Sequence, residues 1–141
     1  FGKDFEKIES SVQMAETGVD AQESITLRYR DGRMAVLNAT MMGISDRRGV
    51  IYGDRGFLEV ENINNPQSIT VYDGDYREVK RIPCPPQVTG YEYEVESCLK
   101  AVREGRTECP EMPHSETIYV MELMDELRRQ WGLSYPCEEI S

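Results

Sequence analysis

His114 is the one histidine of the chain and the first side chain to consider for proton transfer near neutral pH. It stands beside Pro113 and just ahead of Ser115, which reads as the N-cap of a helix, so a loop position explains it without catalysis. A Ser-His-Asp triad is defined by geometry, and one histidine among many carboxylates makes none legible. Glu92, Glu94 and Glu96 suggest a cation site, but at helical spacing Glu92 and Glu96 share a face and Glu94 does not; a solvated helix face is the simpler reading. The four cysteines, Cys84, Cys98, Cys109 and Cys137, contain no CxxC pair, and with a single histidine they argue against zinc. They are read as reduced thiols, because a chain of this length needs no disulfide framework.

Gly49, Gly53 and Gly56 bear on phosphate binding. A phosphate loop needs a strand leading into a glycine turn that opens a helix. Here the glycines fall in a strand and a tight turn, where backbone geometry accounts for them. Asp46-Arg47-Arg48 is a short charged cluster at a strand entrance, able to meet an anion but read as an exposed turn. Of the seven methionines, Met34, Met121 and Met124 sit at periodic apolar positions and are expected to fill core.

The elements that carry these residues follow from periodicity. Ile25, Leu27 and Tyr29 alternate with Thr26, Arg28 and Arg30, a period of two, and Asp31-Gly32 follows as a turn signal before Met34–Met42. A second hairpin centres on Gly53-Asp54-Arg55-Gly56, between Val50-Ile51-Tyr52 and Phe57–Val60. Ser68–Tyr72 and Arg77–Ile82 bracket Asp73-Gly74-Asp75, and Ile8–Glu16 alternates more weakly. These are about seven strands joined by short turns, hence largely antiparallel. After Pro83, Pro85 and Pro86 the period changes. Tyr91, Val95, Cys98, Leu99 and Val102 fall at helical spacing up to Gly105. Val120, Met121, Met124, Leu127 and Trp131 form the stripe of a second helix, with Arg128 and Arg129 in its last turn and Gly132 past its end. Strands followed by helices give an α+β fold: a largely antiparallel, open-faced sheet with helices on one face.

A two-residue turn at Asp31-Gly32 would set Leu27 opposite Val36. One face then carries Ile25, Leu27, Tyr29, Met34 and Val36. The other carries Thr26, Arg28, Ala35, Leu37, Ala39 and Met41, a mixture too apolar for a wet face and too polar for a core. These six residues are the candidate oligomer interface.

Composition limits the partners. With 39% hydrophobic and 30% charged residues the chain is globular in character and long enough to bury a core. A formal net charge of −10 argues against nucleic acid and anionic lipid as partners. No apolar run approaches the length of a membrane helix, and the cytoplasm is the expected location.

Three stretches together resemble the Gfo/Idh/MocA oxidoreductase family. Gly49-Val-Ile-Tyr-Gly-Asp-Arg-Gly-Phe-Leu-Glu-Val60 is similar to its strand, glycine turn and strand. Gly90-Tyr-Glu-Tyr-Glu-Val-Glu-Ser-Cys-Leu-Lys-Ala-Val-Arg-Glu-Gly105 is similar to a helix ending in glycine. His114-Ser-Glu-Thr117, Met124-Asp-Glu-Leu-Arg-Arg-Gln-Trp-Gly132 and Tyr135-Pro136 look like the last helix and ending of the dihydrodiol dehydrogenase-like branch.

That resemblance implies a parent enzyme in which a Rossmann domain binds NAD or NADP, while a C-terminal α+β domain, spanning all of residues 1–141, supplies an open sheet that packs on another subunit. The implied chemistry is hydride transfer to or from a sugar, polyol or related alcohol. A homodimer or higher homo-oligomer and a small-molecule substrate are the implied partners. The sequence has no GxGxxG fingerprint and no Glu-Lys-Pro motif, which carries the family's catalytic lysine. Phe1-Gly2 resembles the tail of the family's catalytic helix, so the chain is expected to start just after the catalytic histidine and aspartate. No catalytic, cofactor or metal residue is therefore assigned, and the chain alone is expected to be inactive. A free-standing, non-enzymatic interaction module of the same fold is the alternative.

Overall fold

The computed structural model describes residues 2–138. Phe1 of the Phe1-Gly2 pair and the last three residues of the irregular tail lie outside them. The α+β order holds, with seven strands and then two helices. The strands, however, form two separate antiparallel sheets. In the chain between them, the amides of Met42, Arg47 and Arg48 donate to the nearby side chains of Thr40, Ser45 and Asp46, and Arg47 adopts φ 54°. Such local bonds compete with a continuing ladder. The chain divides into two compact units, one built on residues 2–44 with 112–138 and the other on Ser45–Glu111.

The first unit is a meander of β1 (Phe5–Met14), β2 (Asp20–Tyr29) and β3 (Met34–Thr40), in that order across the sheet. Helix α2 (His114–Trp131) packs against β1. Pairing sets Phe5 opposite Tyr29, Ile8 opposite Leu27 and Ser10 opposite Ile25, which collects these side chains on one face. The helix meets that face through Tyr119, whose ring lies 6.5 Å from that of Phe5, and through Trp131, whose indole N–H donates to Ser10 Oγ at 2.9 Å. Ala21, Leu27, Tyr29, Leu127 and Leu133 are buried. The helix ends where Gly132 takes φ 66°, which lets Leu133 N–H donate to the Arg128 carbonyl. Its first residue is His114 and its N-cap is Pro113, with no side-chain cap. The Ser115 cap read from the sequence is therefore not formed, because Pro113 already holds the extended φ/ψ of a cap two residues earlier.

The inward stripe of α2 also differs from expectation. Leu127 is buried and Tyr119, Leu123 and Trp131 are half-buried, whereas Val120, Met121 and Met124 are exposed. The helix is apolar around much of its circumference, so spacing alone selects no single face.

The second unit runs β4 (Gly49–Gly53), β5 (Gly56–Val60), β6 (Ser68–Asp73) and β7 (Glu78–Pro83) as successive neighbours, followed by α1 (Glu92–Arg103). The Gly53-Asp54-Arg55-Gly56 hairpin forms as expected, with Gly53 paired to Gly56. A Cβ on Gly56 would stand 2.0 Å from the carbonyl oxygen of Tyr72, so only glycine fits there. Of the α1 stripe read from the sequence, Tyr91, Val95, Cys98, Leu99 and Val102 are all exposed, and Ala101 is the buried residue.

Candidate functional site

The β2–β3 turn decides which side chains share a surface. Tyr29 N–H donates to the Arg33 carbonyl and Gly32 N–H to the Tyr29 carbonyl, closing a loop of Arg30, Asp31 and Gly32. Gly32 has φ 89° and Asp31 does not enter the left-handed region, so this is a three-residue loop and not the two-residue turn expected. Asp31 stabilises it by accepting from Arg33 N–H at 3.2 Å and from Arg33 Nε at 2.7 Å.

The pairing consequently shifts by one residue: Leu27 faces Ala35, Ile25 faces Leu37 and Thr26 faces Val36. A one-residue slip moves an entire strand's side chains to the other face. The six predicted interface residues are thus divided. Thr26 and Arg28 share the open face with Met34 and Val36. Ala35, Leu37 and Ala39 fall on the α2-facing side with Ile25, Leu27 and Tyr29, and Met41 lies one residue beyond β3.

The open face of this unit is polar across β1, where Lys7 and Glu9 pair at 2.6 Å. It turns apolar at β3, with Met34 and Val36 55% and 60% exposed. As a terminal strand of its sheet, β3 also exposes Leu37 on the opposite face, and Met41, Met42 and Ile44 follow, all exposed. Exposed apolar side chains are therefore concentrated along one strand and the segment after it.

The second unit presents a different surface. Across β4, β5 and β6, register places Tyr52 opposite Phe57 and Phe57 opposite Tyr72. Phe57 stacks on Tyr72 at 4.7 Å, with Tyr52 and Tyr76 at 6.1 and 6.0 Å from it. Arg48 crosses to Glu59 at 3.0 Å beside them. Together they line a shallow depression of about 640 Å³, rimmed by the turns at Asp54 and Gly74. Each of the three adjacent strands contributes one aromatic residue and the turn after β6 a fourth, so the cluster is visible only once the register is known.

The residues considered for chemistry fall elsewhere. Gly49, Gly53 and Gly56 lie in β4, β5 and their turn, so no helix N-terminus is aimed at them and they do not make a dinucleotide phosphate site. His114 opens α2. Among the described residues no group of three His, Cys, Asp or Glu side chains is placed to hold a metal.

Glu92 is not a solvated face residue as expected. Its carboxylate accepts from the amides of Val88, Thr89 and Gly90, and its own backbone amide together with these three holds it at a pKa of about 2. The Cys98 and Cys109 sulfurs lie 3.7 Å apart, and the neighbouring sulfur pushes the Cys98 thiol up.

No family model matches the chain. Among curated proteins it is 31% identical over 126 residues to trans-1,2-dihydrobenzene-1,2-diol dehydrogenase of Xenopus tropicalis, covering 86% of this chain and 38% of that protein. The Danio rerio protein of the same name is 30% identical over 139 residues, covering 95% of this chain and 42% of its own length. The scyllo-inositol 2-dehydrogenase (NADP(+)) IolU of Bacillus subtilis is 27% identical over 123 residues, covering 87% and 37%. The chain thus spans about two fifths of the curated relatives it matches. Among solved structures, aldose-aldose oxidoreductase from Caulobacter crescentus superposes with a TM-score of 0.69 at 13% identity, covering 86% of this chain and 37% of that one. UDP-N-acetylglucosamine 3-dehydrogenase GnnA from Acidithiobacillus ferrooxidans gives 0.58 at 18%, covering 73% and 33%. These likenesses establish the fold.

Proposed function

We propose that the chain belongs with the Gfo/Idh/MocA oxidoreductases, its curated relatives including dihydrodiol dehydrogenases, and that it is the C-terminal, substrate-side and assembly domain of an NAD(P)-dependent oxidoreductase. The observation that carries this reading is the alignment over 86% of the chain with only 38% of a diol dehydrogenase. The substrate class is a sugar, polyol or related alcohol, in keeping with the diol and the inositol in the relatives' names. Dinucleotide binding and the acid–base groups for hydride transfer belong to residues beyond these 141, and no catalytic step is assigned to this chain. Its part is to position and to assemble. The second copy of the chain meets it through the open face at Thr26, Arg28, Met34 and Val36 and along the apolar margin at β3. The cytoplasm is the proposed location; no helix of the described residues is long and apolar enough to cross a membrane.

The test compares two proteins. The gene product that contains this chain is assayed for NAD+ or NADP+ reduction with a panel of cyclic diols, inositols and aldoses, beside the isolated chain. Reduction by the complete gene product, with neither turnover nor dinucleotide binding by the chain alone, is the expected result. An inactive gene product, without dinucleotide binding of its own, would overturn the enzyme reading in favour of an interaction module of the same fold.

A further inference from the structure

Helix α1 and the loop after it hold two thiols against each other. Cys98 lies on the exposed side of α1 and Cys109 is half-buried in the loop, their sulfurs 3.7 Å apart. A disulfide needs about 2.0 Å, so roughly 1.7 Å of approach remains, within reach of a change in side-chain rotamer. The backbone on both sides is already placed. The α1 end is turned by Gly105 at φ 66°, with Arg106 N–H donating to the Ala101 carbonyl at 2.9 Å. Ser97 Oγ donates to Glu111 Oε2 at 2.6 Å, tying the far end of the loop back to the helix one residue before Cys98. Two anchors thus flank the sulfur pair, and Cys98 is open to small solutes.

We propose that Cys98 and Cys109 form a reversible dithiol–disulfide site that responds to hydroperoxides. One thiolate attacks a peroxide oxygen and breaks the O–O bond, giving a sulfenic acid and, after protonation of the leaving hydroxide, water. The partner thiolate then attacks the sulfenic sulfur and displaces hydroxide, which also leaves as water. Two thiols and one hydrogen peroxide become one disulfide and two waters, with sulfur oxidised and peroxide reduced. A dithiol reductant restores the pair by exchange. The bond closes a short ring over residues 99–108, the end of α1 and the loop after it, and thereby fixes that loop to the helix.

The chain with Cys84 and Cys137 replaced by serine is reduced, treated with one equivalent of hydrogen peroxide and digested without reductant. The expected product is a single chain, not covalently linked to another and lighter by about 2 Da, carrying a Cys98–Cys109 linked peptide that dithiothreitol releases. Its melting temperature rises on oxidation, and the rise is absent in Cys98→Ser and in Cys109→Ser, each verified as folded by circular dichroism. Disulfide-linked dimers, or sulfinic acids at either cysteine with no linked peptide, would overturn the proposal.

Discussion

The carboxylate of Glu92 accepts from three successive backbone amides at 2.7, 2.6 and 2.9 Å, closing the loop that leads into α1. Side chains in a first helical turn lean toward the N-terminus, which is why this acid turns back to the loop. The charge pattern of Glu92, Glu94 and Glu96 contains the residue but not that direction, so its role was hidden in the sequence. With its pKa at about 2, against an ordinary 4.5, Glu92 binds protons less readily when folded. Its stabilising effect is complete above about pH 4.5 and is lost as the pH falls toward 2. Glu92→Gln is expected to lower the urea midpoint at pH 7 and to flatten the acid limb between pH 4.5 and 2. An unchanged acid limb would remove Glu92 from this role.

At the scale of elements, turn chemistry was legible and register was not. The hairpin at Gly53–Gly56 and the stop at Gly132 follow from glycine placement, and both form. Asp31-Gly32 also marks a turn, but two-residue and three-residue loops share that dipeptide; the outcome depends on whether Asp31 takes a positive φ. The orientation of α2 was ambiguous for a similar reason, since Val120, Met121 and Met124 are as apolar as the residues that turn inward. Its core contact is Leu127, 6% exposed. Leu127→Ala is expected to cost about 2–3 kcal/mol, the low end for a buried leucine because the surrounding core is thin. Met124→Ala is expected to change the stability of the isolated chain by less than about 1 kcal/mol. Urea denaturation of the two variants checks both, and equal losses would show that the inward face is misassigned.

For the molecule as a whole, no large side chain among the described residues is fully buried, while long apolar residues stand exposed along β3, α1 and α2. Composition anticipated a packed core and did not reveal this shortfall, because it counts apolar residues without saying what covers them. An isolated chain with so much uncovered apolar surface is expected to self-associate. Light scattering should give a dimer or larger for the parent chain. Arg28→Glu with Val36→Glu, both on the open face, should give a folded monomer. A monomeric parent chain would rule out this face as a self-sufficient homo-oligomer contact.

The path of the chain through the first unit also sets a timetable. The β1–β3 meander is complete by Thr40, yet the helix that covers its Leu27 face ends only at Trp131. During synthesis the entire second unit must emerge in the interval, on the order of ten seconds at ordinary elongation rates. For that time the nascent sheet carries its apolar face without its cover. Chaperone contact in that interval therefore falls on the β1–β3 sheet, and translational pausing within residues 45–113 prolongs its exposure.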